Sequence, residues 1–237
     1  MYNKKRFLKR RYGFLIIYIS IIICISACSF NESPADTDEK TKNPAADLSE
    51  SEDDINDLSN AADENIWFLV GAEIKKLDNV PGIDEPAIIV NGHNITKKEI
   101  EIQKIYSEYI QNETLKDAVN SMIRMAAVQS EAIRLDVKPQ KEKVETYLKQ
   151  TNDSLNKKIN GTETIFYYMQ GLGISQEEYI DMLEETAYDM FQREALWNMV
   201  QPLNKEKTYD QYIDEIVERA KIKIIDPEIE AILNEDN

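Results

Sequence analysis

One segment decides the fold of this chain: Ala87-Ile88-Ile89-Val90-Asn91-Gly92-His93-Asn94-Ile95, followed by Thr96-Lys97-Lys98-Glu99. The β-branched run predicts a strand. Asn91-Gly92 predicts a tight hairpin turn, because both turn residues must adopt positive φ. Thr96 and Glu99 have the spacing of a capping box, in which each residue satisfies a backbone amide at the start of a helix. The segment therefore predicts a β-hairpin that leads directly into a helix.

Helical periodicity accounts for most of the sequence around this hairpin. Apolar residues at helical spacing predict a short leading helix, from Ile66 to Leu77, that ends before Pro81-Gly82. A helix is predicted to start at Thr96, and a longer one covers about 115–135 with Ile133 on its apolar stripe. The next helix has Pro139 in its first turn and extends to Ile159, and a short helix covers about 163–170. A second capping box at Ser175 begins a helix that reaches Val200, and another helix covers about 207–219. Lys221–Ile225 alternates like a strand, and Asp226 is expected to cap a last helix at 228–234.

The N-terminal region has the pattern of a secretory signal. Residues 1–12 carry six basic and no acidic side chains, and the eighteen residues 13–30 are uncharged. Positive charge ahead of an apolar run keeps the N-terminus in the cytoplasm and sends the rest across the membrane.

The apolar run ends in Ile25-Ser26-Ala27-Cys28, which resembles a bacterial lipobox. This predicts a lipoprotein signal peptide at 1–27, cleavage between Ala27 and Cys28, and attachment of diacylglyceryl and palmitate lipid to Cys28. Cys24 is less suited, because the large Ile23 precedes it. An uncleaved membrane anchor is the alternative, since eighteen uncharged residues just reach spanning length. Both interpretations place the remainder on the extracytoplasmic face of the cell membrane.

Residues 28–64 are predicted to be the lipidated Cys and an acidic disordered linker. Residues 29–64 contain twelve acidic residues and two Lys, with few large apolar side chains. Such a segment cannot bury enough apolar surface to offset its ordering entropy, and like charges keep it extended. The acidic run at 50–54 lacks the alternating ligands and turn Gly of a calcium loop. A solvated linker is therefore the interpretation that we adopt for this segment.

Composition excludes several functional classes. The 237 residues include 44 acidic and 28 basic side chains, and removal of residues 1–27 takes the net charge from −16 to −22. This argues against a nucleic-acid binder, which needs a basic surface. One His and two Cys argue against His-based catalytic pairs, a disulfide framework and a Cys-rich zinc site. No cofactor and no metal are predicted.

Four segments resemble, in this order, the N-terminal domain of the SurA/PrsA-type extracytoplasmic chaperones and foldases. Ala87 to Ile100 matches the opening of the family's domain, and Leu115 to Val137 matches its second helix, through Met122-Ile123 and Glu131-Ala132. Gly173-Ile174-Ser175, followed by Glu178-Tyr179, matches the start of a later helix. Arg219 to Ile224 matches the closing helix and strand. The resemblance covers about residues 87–225. It implies a mainly α fold over 65–237: a multi-helix domain like that of the SurA N-terminus, with a small β-hairpin paired to a C-terminal strand.

The chain departs from this family at one place. In the foldases a parvulin prolyl-isomerase domain precedes the closing helix, whereas here only Gln201–Glu206 fills that gap. The resemblance therefore implies chaperone architecture without the catalytic domain, and we expect the protein not to be an enzyme.

Candidate binding residues come from the aromatic and Met side chains between 167 and 200. In residues 179–200 these side chains occupy more than one helical stripe. The first interpretation is that the whole set lies in the core, and the alternative is that part of the set lines an apolar cleft. Met and aromatic side chains adapt to varied apolar partners. The candidates are Tyr168, Met169, Met182, Tyr188, Phe191 and Trp197, among which Tyr168, Met182 and Phe191 are expected to face solvent. His93 is interpreted as a solvent-facing turn residue, and the acidic residues of 177–185 as a solvated helix face.

Two functions are compatible with these features. The first is a membrane-anchored, non-catalytic chaperone, or holdase, that binds unfolded or partly folded exported polypeptides. The second is an adaptor or assembly lipoprotein that holds one specific protein partner. A holdase requires a broad exposed apolar cleft, and an adaptor requires a smaller matched patch.

Overall fold

A computed structural model describes residues 66–110, 113–159 and 161–234. The predicted signal peptide, Cys28 and the acidic linker lie outside the described residues. In chain order the elements are α1 (66–77), β1 (Pro86–Val90), β2 (His93–Thr96), α2 (Lys97–Tyr109), α3 (Leu115–Arg134), α4 (Lys141–Lys157), α5 (Glu163–Leu172), α6 (Gln176–Val200), a 3-10 turn (Gln201–Leu203), α7 (Tyr209–Arg219), β3 (Ile222–Ile224) and α8 (Pro227–Asn234). Helix accounts for 72% of the described residues, so the predicted mainly α fold is confirmed.

The hairpin forms as the sequence predicts. Asn91 and Gly92 adopt φ of 50° and 87°, the left-handed conformation that a two-residue hairpin turn requires. β1 pairs antiparallel with β2 on one side, where Val90 lies opposite His93. On the other side β1 pairs antiparallel with β3, where Ile88 lies opposite Ile224. The predicted return of the C-terminal strand to the hairpin is therefore confirmed.

Helix starts follow the capping signals of the sequence. Complete capping boxes form at Thr96 with Glu99, at Ser175 with Glu178, and at Thr208 with Gln211. At the last helix, Asp226 Oδ1 accepts a hydrogen bond of 2.9 Å from the backbone N–H of Glu228. These bonds satisfy donors that a helix cannot pair internally, which is why the capping residues locate the helix starts from sequence.

Three positional predictions are wrong. Pro139 precedes the N-cap Gln140 of α4, so it lies outside the first turn of that helix. Ile133 is 59% exposed and Ile159 is 48% exposed, so neither belongs to a buried face. For Ile133 the reason is helical geometry: the buried stripe of α3 ends at Ala132, and the next residue points about 100° away around the axis.

The buried side chains form two apolar clusters. Cluster 1 contains the sheet, Ile100 in the first turn of α2, most of α3, the second half of α6, α7 and α8, and includes Leu196 and Ile229. Cluster 2 contains α1, α2, α5, the first half of α6 and Leu155 of α4. Helix α6 contributes to both clusters, so it physically links them. A helix in this position must have apolar side chains on different stripes along its length, as the sequence of α6 shows.

Candidate functional site

The structure buries three of the six candidate binding residues. Tyr168, Met169 and Met182 are all members of cluster 2, where they pack between α1, α5 and α6. The expectation that Tyr168 and Met182 face solvent is therefore wrong. The cause is tertiary: α1 and the facing helices cover the stripes on which these side chains lie.

Trp197 has a packing role at the end of α6. Its ring lies 5.2 Å, centroid to centroid, from the ring of Tyr209 and 6.0 Å from that of Tyr212. It is half-buried against cluster 1. These contacts hold α7 against α6, which accounts for the aromatic residue at this position.

Tyr188 and Phe191 of α6 both reach the surface, and Phe191 does so at the contact with α4. Tyr188 is 39% exposed, and Phe191, one turn further along, is half-buried. The ring of Phe191 packs edge-on against Tyr147 of α4 at a centroid distance of 5.9 Å. The two helices run antiparallel here, because Lys143 pairs with Glu194 at 2.6 Å and Tyr147 lies beside Phe191.

A shallow depression of about 400 Å³ lies at this contact. It is lined by Glu142, Lys143, Thr146, Tyr147, Gln150 and Phe191, and we call it the α4–α6 groove. Its floor is the aromatic pair, and its rim consists of the exposed side chains of Glu142, Lys143, Thr146 and Gln150, of which all but Thr146 have several rotatable bonds. An aromatic floor with an adjustable polar rim suits an apolar side chain of a partner and imposes little demand on that partner's shape.

Sequence reasoning found only half of this groove. Phe191 is one of the residues predicted from sequence for binding, whereas Tyr147 is not. Both residues are aromatic and lie on predicted helices, so composition indicates only weakly that they belong to a binding site. No sequence pattern shows that residues 44 positions apart share one contact.

A buried polar cluster joins α3 to the middle of α6. Gln129 Nε2 donates to Asp189 Oδ1 at 2.8 Å and to Gln192 Oε1 at 2.7 Å. Gln192 Nε2 in turn donates to the backbone oxygen of Val137 at 2.6 Å. Burial raises the pKa of Asp189, and the nearby Arg193 guanidinium partly opposes that rise. These hydrogen bonds fix the register of α3 against α6 at the point where clusters 1 and 2 meet. The sequence did not predict this polar contact.

Three tyrosine side chains converge inside cluster 2. Burial, together with the neighbouring phenols of Tyr168 and Tyr179, raises the pKa of Tyr106 well above its ordinary value. The Tyr106 phenol therefore stays protonated at neutral pH.

The remaining candidates have structural explanations. His93 is half-buried in β2, not in the turn itself. Glu178 caps α6, and Glu177, Asp181 and Glu184 are exposed on its surface. In the described part of the chain, no group of three or more His, Cys, Asp or Glu side chains is arranged to hold a metal ion.

Comparison of the chain with protein-family models, curated proteins and solved structures finds no match. Within residues 66–110, 113–159 and 161–234, no helix is both long and apolar enough to cross a membrane.

Proposed function

We propose that this protein is a lipid-anchored extracytoplasmic lipoprotein whose helical domain acts as a non-catalytic chaperone for exported polypeptides. The observation that carries the proposal is the α4–α6 groove, where the half-buried rings of Tyr147 and Phe191 reach the surface. The resemblance of residues 87–225 to the SurA/PrsA-type chaperones supports the same function. It also supports the absence of isomerase activity, because Gln201–Glu206 replaces the catalytic domain.

The chemistry of the groove suits transient binding of varied chains. Its floor offers apolar contact, which is not directional and does not depend on a particular partner sequence. Its rim side chains, Lys143 and Gln150 among them, can turn to admit side chains of different size. A surface of this kind slows aggregation by covering an apolar segment of an unfolded chain.

The N-terminal sequence supports the proposed location. Cys28 follows a lipobox-like segment, and two acyl chains give stable membrane association where one does not. The sequence predicts a disordered linker after Cys28, and a coil of about 35 residues has an end-to-end distance of roughly 30–35 Å. The domain would therefore work just above the membrane surface, where exported chains emerge.

One observation favours the alternative function as an adaptor. The groove has a volume of only about 400 Å³, which is small for a surface that must accept many sequences. A single partner could use it as one pocket within a larger interface, since standard interfaces bury about 800 Å² on each side.

Aggregation suppression separates these functions. The mature lipoprotein, in detergent or nanodiscs, is mixed with several unrelated unfolded proteins, and light scattering is followed. We expect slower aggregation that persists at high salt, because apolar burial drives the binding. Substitution of both Tyr188→Ser and Phe191→Ser should abolish the effect. The matched control is Tyr109→Ser on α2, since Tyr109 is 38% exposed and Tyr188 is 39% exposed.

The possible results lead to different conclusions. If the Tyr188→Ser/Phe191→Ser double variant suppresses aggregation as well as the Tyr109→Ser control does, the α4–α6 groove is not the binding surface. No suppression of any client, together with tight binding of one partner, would establish the adaptor. Acceleration of prolyl isomerisation by the purified protein would contradict the non-catalytic proposal.

Mass spectrometry tests the anchor. We expect a mature N-terminus at Cys28 that carries lipid. An intact Met1 in the membrane fraction would establish the uncleaved anchor instead.

A further inference from the structure

Among the described residues, the outer side of β3 is an exposed edge of the sheet. The three strands lie in the order β2-β1-β3, so β1 is paired on both of its sides. The other outer strand, β2, continues directly into α2 and contacts α3. On β3, in contrast, Ile222 is 41% exposed, and Lys221 and Lys223 are also exposed. An exposed outer strand presents backbone groups with which another strand can pair.

The hydrogen bonds of this segment show which backbone groups face outward. The oxygen of Lys221 accepts a hydrogen bond of 2.9 Å from the turn that follows β1, and the N–H of Ile225 donates one of 2.8 Å to Ala87. Backbone groups along an antiparallel strand point alternately toward its partner and away from it. The N–H and C=O groups of Ile222 and Ile224 therefore point to the free side. No strand in the described part of the chain pairs with them there.

The two faces of this edge differ in chemistry. Ile222 lies opposite Val90, which is completely buried, so Ile222 and Ile224 share the face of the sheet that covers cluster 1. Lys221 and Lys223 lie on the other face, because successive side chains of a strand alternate. Neither lysine forms an ion pair with another of the described residues. The edge thus combines an apolar face with a positively charged one.

The two lysines determine which strand can pair with β3. A second copy of β3, aligned antiparallel so that Ile222 lies opposite Ile224, places the two Lys223 side chains opposite each other. Like charges directly opposite one another destabilise a pair of strands, whereas opposite charges stabilise it. Lys221 and Lys223 therefore disfavour a second copy of this chain and favour a strand that carries acidic residues at these positions.

We propose that the outer edge of β3 is a docking site for an extended segment of another protein, in which apolar residues alternate with acidic ones. The segment adds a fourth strand to the sheet, and its backbone bonds to Ile222 and Ile224. Its apolar side chains extend the face that covers cluster 1, and its carboxylates lie beside Lys221 and Lys223. These residues are not part of the α4–α6 groove, so the inference does not depend on the proposed function.

The site fits an extended chain and not a helix. A strand presents its own N–H and C=O groups sideways, so it can bond to the outward groups of Ile222 and Ile224. A helix pairs its backbone groups internally and has none to offer along its length. The main-chain bonds supply affinity for any extended segment, while the alternating apolar and charged contacts decide which segment binds.

The experiment measures binding of fluorescein-labelled peptides to the full mature protein in detergent. The probe is a short peptide in which Val and Glu alternate. One control peptide alternates Val and Lys, and the other has the Val and Glu residues in two separate blocks. We expect the probe to bind about tenfold tighter, or more, than either control, because it alone matches both the pleat and the charge of the edge. The same probe with all its backbone amides N-methylated should not bind, because it has lost its hydrogen-bond donors.

Two variants of β3 test the backbone and the charge separately. Ile222→Pro removes an outward N–H and leaves the ladder between β3 and β1 intact, so the probe should bind about tenfold more weakly, or less. Lys223→Glu should reverse the preference, so that the Val–Lys peptide binds tighter than the probe. The matched control is Lys149→Glu, since Lys149 is an exposed lysine on α4. It should leave both affinities unchanged.

Amide hydrogen exchange locates the bound peptide. A saturating amount of the probe should slow exchange at Ile222 and Ile224, whose N–H groups face outward. Exchange at Lys223 should change less, because its N–H already faces β1. This measurement uses the wild type alone, so with the N-methylated probe it decides the question if Ile222→Pro loses the unfolding transition reported by Trp197.

Other results would overturn the inference. Equal binding of the alternating and the block peptides would show that no strand is added, and so would unchanged exchange at Ile222 and Ile224. A protein that sediments as a dimer without peptide, and as a monomer after Ile222→Pro, would show that a second copy occupies the edge. Suppression of aggregation by the α4–α6 groove is tested separately, so either proposal can fail while the other stands.

Discussion

Closure of the domain by its C-terminal segment predicts a large effect at one side chain of α8. Ile229 is 7% exposed and packs into cluster 1, with Ile232 and Leu233 beside it. Ile229→Ala should reduce the free energy of unfolding by about 3 kcal/mol, within the usual range of 2–5 for deletion of a buried aliphatic side chain. With a urea m-value of about 2 kcal/mol/M, the midpoint should fall by about 1.5 M.

The chain contains a control of the same chemistry. Ile133 on α3 is 59% exposed, so Ile133→Ala removes the same atoms without leaving a cavity. Its midpoint should change by less than about 0.3 M, because exposed substitutions usually fall within about 0.5 kcal/mol. If Ile229→Ala is no more destabilising than Ile133→Ala, α8 does not close cluster 1 and the reasoning fails.

The two Trp residues report on the two clusters separately. Trp67 lies in cluster 2 and Trp197 packs on cluster 1, so Trp67→Phe and Trp197→Phe each leave one probe. Since α6 belongs to both clusters, we expect both probes to show the same unfolding transition and the same shift on Ile229→Ala. A shift seen by Trp197 alone would mean that the clusters unfold independently.

Three further predictions concern the ends of the domain and its polar contacts. Truncation after Val217 removes β3 and α8, so Trp197 should lose its cooperative transition; a normal melt would contradict closure by β3. Burial raises the pKa of Asp189 in the folded protein above its ordinary value of 3.8, which applies to the unfolded chain. The protonated carboxyl therefore contributes most to stability below pH 3.8, and this contribution is lost as the pH rises through the folded pKa. Asp189→Asn should therefore be more stable than the wild type at neutral pH, with a difference that shrinks in acid, and a constant difference across a pH series of urea melts would refute the assignment. Asp78→Asn removes the carboxylate that faces the buried Lys98 ammonium and should cost about 3 kcal/mol, whereas Lys98→Met should stay within about 1 kcal/mol of the wild type; equal losses in denaturation would show that the charge pair is not the cause.

Local sequence signals located the elements of this fold well. Asn91-Gly92 predicts the hairpin because the required backbone angles are a property of those two residues alone. Thr96 and Ser175 mark helix starts because a cap bonds to amides only two or three residues away. Such contacts involve neighbours in the chain, so the sequence contains everything that they need.

The candidate site was predicted less completely. Phe191 and Tyr188 were expected at a binding surface and do reach solvent, while Tyr168, Met169 and Met182 were expected there and are buried. All five are large apolar side chains on helices, so composition and periodicity treat them alike.

The sequence by itself thus determined the hairpin, the helices and their caps, and the acidic character of the chain. Tertiary structure alone decided which apolar stripes are covered. Helix α6 carries apolar residues on several stripes because it packs in two clusters, and the position of α1, set by the backbone contact of Gly71 with Gly171, determines that Tyr168 is buried. Burial depends on residues about a hundred positions apart in the chain, and no local pattern encodes a contact over that separation.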